Sequence, residues 1–209
     1  MTYSVKEVFL TVQGEGGQAG RPAVFCRFAG CNLWNGLERD RASAVCDFCD
    51  TDFVGTDGPG GGKFKSAGEL AAHVAGFWPG GGKPLVVCTG GEPLLQLDAA
   101  LIAAFKAAGF EIAVESNGTI AAPDGIDWLT VSPKGAARIV QTSGQELKLV
   151  YPQPGLDPAD FEALDFARFS LQPMDGPHQM ENAQAAFEYC LAHPKWSLSL
   201  QTHKWIGAP

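Results

Sequence analysis

Short apolar runs alternate with polar, glycine-rich clusters along the whole chain. Val5–Val12 and Pro22–Phe28 read as strands, with β-branched and aromatic residues at alternate positions. Further strands are expected over 84–89, 110–114, 126–131, 146–150, 169–172 and 197–201. Helical spacing appears between them. Ser66 and Glu69 form a capping-box signature ahead of a stripe of Leu70, Val74, Phe77 and Trp78, closed by Pro79-Gly80. His73 falls off that stripe and is expected at the surface. Asp98 caps a second helix with Leu101, Ile102, Phe105 and Ala108 inward, closed by Gly109. Asp157-Pro158 opens a short one. Ala183, Phe187, Cys190 and Leu191 mark the inner face of the last long helix. Residues 55–65 read as a flexible glycine-rich loop.

Strands alternating with helices or loops predict a parallel α/β sheet. In such folds ligands collect at the carboxyl ends of the strands. The polar clusters lie there: Gln13-Gly14-Glu15-Gly16, Thr89-Gly90-Gly91-Glu92-Pro93, Glu115-Ser116-Asn117-Gly118, Ser132-Pro133-Lys134, the stretch after Gln172, and Gln201-Thr202-His203-Lys204. Their recurrence suggests one shared pocket. The first cluster is also compatible with a hairpin turn carrying solvated side chains. Cys26 and Cys88, inside apolar strands, read as core residues. Arg27 points the opposite way from Cys26 and requires an anion, either a structural carboxylate or that of a ligand.

Composition narrows the partners. With 209 residues, 45% of them hydrophobic, the chain suits one domain over 1–209. A net charge of −8 argues against a nucleic-acid partner and suits a small-molecule enzyme. The first residues lack a signal-peptide plan, and no apolar run reaches the roughly 20 residues needed to span a membrane. A cytoplasmic location is therefore expected. There, six cysteines fit metal ligands and core positions better than disulfides.

Three cysteines stand apart: Cys31, then fourteen residues, then Cys46-Asp47-Phe48-Cys49. Three thiolates fill three of four positions of a metal centre and leave one open. One reading is a non-catalytic zinc module completed by a fourth ligand such as His203. The other is an iron–sulfur cluster with one iron free for chemistry.

The three cysteines, with Gly90-Gly91-Glu92-Pro93 one strand later, resemble the radical S-adenosylmethionine enzymes. The fourteen-residue spacing departs from that superfamily's usual three. It is similar to the variant of the 7-carboxy-7-deazaguanine synthase family, as are the QGEG, CDTDF, ESNG, SPK and QTHK segments. The resemblance implies an incomplete (β/α)6 partial barrel with reduced helices, notably near 28–46 and 132–145. It implies a 4Fe–4S cluster on Cys31, Cys46 and Cys49. S-adenosylmethionine would contact Phe48, Asp50, Gly90, Gly91, Glu92, Asn117, Ser132, Lys134 and Gln172, and Mg2+ would sit on Thr51. It implies a lyase acting on 6-carboxy-5,6,7,8-tetrahydropterin, held by Gln13, Gly14, Glu15, Arg27, Thr89, Glu115 and His203. Pro209 either reaches the substrate or ends a frayed tail. Hydrogen abstraction and ring contraction with loss of ammonia are the implied chemistry. A flavodoxin-like electron donor and a homodimer come with it. The remaining alternative within the superfamily is a different small-molecule substrate.

Overall fold

A computed structural model describes residues 2–209. Strands β1 (Tyr3–Val12) and β2 (Pro22–Phe28) pair antiparallel, and β3 (Gly62–Phe64) pairs antiparallel with β1. Beyond β2 the sheet is parallel: β4 (Leu85–Gly90), β5 (Glu111–Ser116), β6 (Trp128–Val131), β7 (Ser143–Tyr151), β8 (Asp165–Pro173) and β9 (Trp196–Leu198). The described strands form one nine-stranded sheet in the order β3-β1-β2-β4-β5-β6-β7-β8-β9. The expected all-parallel sheet therefore fails at one edge. Residues 13–21 are too few for a parallel crossover, which needs a dozen or more, so the chain turns straight back. The segment read as a flexible loop contains β3, whose three residues are too few to show a strand period.

Helices are sparse. Helix α1 (Ala67–Ala75) precedes β4, α2 (Ala99–Ala107) joins β4 to β5, and α3 (Gln179–Ala192) joins β8 to β9. Loops without helices join β5 to β6 and β6 to β7, and 29–61 holds a single 3-10 turn at Glu38–Ser43. This is the pared-down partial barrel that the resemblance implied. A short α4 (Thr202–Ile206) follows β9.

The caps form largely as expected. The Ser66 hydroxyl accepts from Glu69 N at 3.2 Å, and Glu69 accepts from Lys65 N. Asp98 accepts from Leu101 N at 2.9 Å and Asp157 from Ala159 N at 3.0 Å. Each such cap is worth about 1 kcal/mol. Several faces differ from expectation. Helix α1 stops at Ala75, before Gly76, so Phe77 and Trp78 pack from beyond its end. His73 is half-buried between the rings of Phe64 and Phe77, with Nε2 2.8 Å from Gly60 O. Ala108 is exposed, because α2 ends before it. On α3 the packed residues are Ala186, Tyr189 and Cys190, while Phe187 and Leu191 face outward.

The two faces of the sheet explain where the site lies. One face carries Val24, Cys26, Val86, Cys88, Ile112, Val114, Leu129, Leu147, Leu149 and Leu171, which bury against Leu70, Leu101, Phe105 and Ala186. Each large aliphatic residue there contributes about 1.5–3 kcal/mol. The alternate residues form the inner face. It begins apolar, with Ala23, Leu85, Val87 and Ala113 packed against Phe25 and Trp128. Two residues further along the same strands it becomes polar: Arg27 after Phe25, Thr89 after Val87, Glu115 after Ala113, Thr130 after Trp128.

Candidate active site

The cysteine loop lies over the carboxyl ends of these strands and is fixed from several directions. Arg41 Nη1 donates to Asp47 O and Cys49 O at 2.8 and 2.9 Å, and its guanidinium lies over Trp34 at 4.2 Å. Lys6, on β1, holds the far end by donating to Val54 O at 2.9 Å and pairing with Asp52 and Asp57. The near end rests on the glycines after β4. A Cβ on Gly91 would come within 2.2 Å of Gly30 O and 2.7 Å of Cys31 Cβ. A Cβ on Gly90, at φ 137°, would strike Phe28 O at 2.2 Å. The glycines of the GGEP segment are thus required for seating the first cysteine.

Cys31, Cys46 and Cys49 line one wall of a cavity of about 360 Å³, the size of a small-ligand pocket. Phe48, Asp50 and Thr51 of the same loop line it too. Gln13, Gly14, Glu15, Arg27, Thr89 and Glu115 line it as well. Gly90, Gly91, Asn117, Ser132, Lys134 and Gln172 complete the strand-end ring, and His203 and Pro209 close it from the tail. The sequence clusters converge on one pocket. Among the described residues, no three His, Cys, Asp or Glu side chains converge closely enough to hold a single metal ion.

Glu92 is the one expected ligand residue that does not line the cavity. It is fully buried and accepts from Leu94 N at 3.0 Å, Ser116 Oγ at 2.9 Å and Asn117 N at 2.7 Å. Burial raises its carboxyl above the ordinary range, against the pull of these donors. It braces the end of β5 from behind, through Ser116 and Asn117, which line the cavity.

The inner wall holds a charged group that the sequence reading missed. Lys148, on β7, lies between two carboxylates, with Nζ 2.6 Å from Glu15 Oε2 and 2.9 Å from Glu115 Oε2. Gln201 donates to Glu15 at 2.9 Å, and Gln13 reaches Glu115 at a longer 3.4 Å. Burial works to raise both carboxyls. Glu15, with the shorter contact to Lys148 and a second firm donor, is nevertheless held down at about 2. Burial prevails at Glu115, which is raised, with the Glu15 charge adding to the effect. The missed signal was a lysine on the inner face of β7, flanked in sequence by Leu147 and Leu149, much as Arg27 is flanked by Cys26 and Phe28.

Arg27 meets a structural carboxylate and also reaches the cavity. Its Nε donates to Glu7 at 2.7 Å, while the side chain also lines the cavity. Gln13-Gly14-Glu15-Gly16 turns between antiparallel strands, and its first three residues line the cavity. The tail is anchored: Thr202 N donates to Gly14 O at 2.9 Å, and Lys204 pairs with Asp50 and Asp175 at 2.7 and 2.5 Å. His203 packs so tightly on Gly14 that a Cβ there would fall 2.0 Å from His203 Nδ1.

No family model matches the chain. It is 68% identical to the 7-carboxy-7-deazaguanine synthase of Caulobacter vibrioides, covering 100% of both chains. The same-named proteins of Bradyrhizobium diazoefficiens and Burkholderia multivorans are 63% and 60% identical, covering 99% and 100% of both chains. The chain belongs to the 7-carboxy-7-deazaguanine synthase family. It is an enzyme of the lyase class. A crystal structure of QueE from Escherichia coli has the same fold, with a TM-score of 0.70 at 25% identity over 97% of this chain and 95% of that one. Among the described residues no helix is long and apolar enough to cross a membrane.

Proposed function

We propose that the enzyme is a Mg2+-dependent radical S-adenosylmethionine lyase that converts 6-carboxy-5,6,7,8-tetrahydropterin to 7-carboxy-7-deazaguanine with loss of ammonia. The observation that carries this reading is a single cavity lined by three free cysteines together with Glu15, Glu115 and Arg27. The donor set suits the implied groups. A four-iron cluster takes each thiolate on a different iron, so the cysteines need not converge on one point. Gln172 Oε1 is buried without a hydrogen-bond partner and belongs to a cavity-lining side chain, which supports a donor from a bound cofactor there. Thr51 offers the hard oxygen that Mg2+ prefers.

On this reading Cys31, Cys46 and Cys49 hold the cluster. Phe48, Asp50, Gly90, Gly91, Asn117, Ser132, Lys134 and Gln172 form the S-adenosylmethionine subsite, with Glu92 supporting it from behind. When bound, these cofactors would supply radical hydrogen abstraction from the pterin. The protein's own part is orientation and exclusion of water. Glu15 and Glu115 accept hydrogen bonds from the N–H groups of the pterin edge, Gln13, Gly14, Thr89, His203 and Pro209 complete its surroundings, and Arg27 pairs with its carboxylate. A cytoplasmic homodimer reduced by a flavodoxin-like protein is part of the same proposal.

The test is anaerobic incubation of reconstituted enzyme with the tetrahydropterin, S-adenosylmethionine and a strong reductant, with and without Mg2+. The expected product is 7-carboxy-7-deazaguanine, formed faster with Mg2+. Reductive cleavage of S-adenosylmethionine without that product would reassign the substrate. A colourless protein after iron and sulfide reconstitution would overturn the cluster.

A further inference from the structure

Lys148 is buried, its side chain 5% exposed, and forms ion pairs with Glu15 from the loop after β1 and Glu115 from the end of β5. One ammonium thus serves two carboxylates at the cavity wall. Among the described residues, the only other side-chain hydrogen bonds to the two carboxylates come from Gln13 and Gln201, both neutral. Each carboxylate has about four lone-pair sites. Lys148 and a glutamine take two, leaving acceptor capacity on the cavity side of both. A cation present solely to stabilise the fold has no need of two acceptors that both line the ligand cavity. Buried ion pairs are also poor stabilisers compared with well-packed apolar groups.

We propose that Lys148 is a positioning residue for the reaction: one ammonium holds Glu15 and Glu115 at a fixed separation with their free lone pairs facing the substrate's N–H edge. The proposal rests on the reading of Glu15 and Glu115 as substrate acceptors. It adds that neither carboxylate is correctly placed without the lysine between them. Specificity for a ligand with two spaced donors then depends on the cation between the two acceptors, which lines the same cavity.

The experiment measures equilibrium binding of 6-carboxy-5,6,7,8-tetrahydropterin, alongside binding of S-adenosylmethionine, in Lys148→Met and Lys148→Arg. Lys148→Met keeps the apolar stem and is expected to weaken pterin binding about 30-fold, the scale of lost charge-assisted contacts. S-adenosylmethionine binding should stay near the parent value. Lys148→Arg should restore most of the pterin affinity, which a role in packing alone would not predict. Pterin affinity within twofold of the parent in folded Lys148→Met would overturn the proposal. Should that variant not fold, Lys148→Met combined with Glu115→Gln removes the stranded charge with the cation. It is expected to bind pterin about fivefold more weakly than Glu115→Gln alone, because Glu15 loses its tether; equal affinities would overturn the proposal. Glu15→Gln and Glu115→Gln are the reference variants. If both bind pterin like the parent, the acceptor reading itself fails. If they lose affinity while Lys148→Met does not, only the positioning role is lost.

Discussion

Two sets of carboxylates, one fully buried and one half-buried, lie within the same group of strand ends and are held in opposite ways. Glu92 is enclosed by neutral donors, two backbone N–H groups and a serine hydroxyl, and has no access to the cavity. Glu15 and Glu115 share one lysine and line the cavity. A carboxylate saturated by the backbone fixes the shape of the chain. One that shares a cation and retains open lone pairs can exchange partners with a ligand. Both sets occur in motifs just after strands, so sequence position alone does not separate them; hydrogen-bond partners do.

The strongest way to break this comparison is Glu92→Ala. It strands Leu94 N, Asn117 N and the Ser116 hydroxyl, and should cost about 3–5 kcal/mol of stability. For a chain of this size that lowers the thermal midpoint by roughly 10 °C. An unchanged midpoint in calorimetry would show that Glu92 is no brace. Next, Gly91→Ala forces Gly30 and Cys31 away from position 91. It should lower the iron bound after reconstitution while leaving the fold intact by circular dichroism. Iron content equal to the parent's would remove the glycine from the seating of the cysteine. Glu115→Gln should lower kcat/KM about 30-fold with a midpoint shift of only about 1–2 °C, the reverse of Glu92→Ala. A pattern in which both variants lose stability and activity alike would erase the distinction.

The smallest effect is in the pH dependence of stability. Glu15 is lowered from 4.5 to about 2, so its contribution is complete above 4.5 and is lost as pH falls through about 2. The stability difference between the parent and Glu15→Gln should therefore be flat above about pH 5 and shrink on acidification. Glu92 is raised, with the opposite sign: its contribution is present below the unfolded carboxyl's value and is lost as pH rises through its folded one. Denaturant titrations at stepped pH read both slopes. A Glu15→Gln difference that grows on acidification would contradict the ion pair.

Much of this was legible in the sequence because it follows from period and punctuation. The alternation that put Cys26 in the core and Arg27 on the other face is a property of one strand. The clusters after successive strands predicted a common pocket without any tertiary information. What was illegible depends on partners distant in the chain. Glu92 looked like a ligand residue because its donors, Ser116 and Asn117, come from the next strand end. Lys148 was passed over because its meaning lies in Glu15 and Glu115, 133 and 33 residues away. The outward turn of Phe187 and Leu191 depends on which side of α3 meets β8 and β9. Helix α3 has apolar residues on more than one side, so its period did not select one.

The most direct measurement is a crystal structure of the reconstituted enzyme with S-adenosylmethionine and 6-carboxy-5,6,7,8-tetrahydropterin. The account predicts oxygens of both Glu15 and Glu115 within about 2.7–3.2 Å of pterin nitrogens, with Lys148 still between them and Glu92 still turned to Ser116 and Asn117. A pterin bound elsewhere in the cavity, or one contacted by Glu92 in place of the lysine-linked pair, would contradict it.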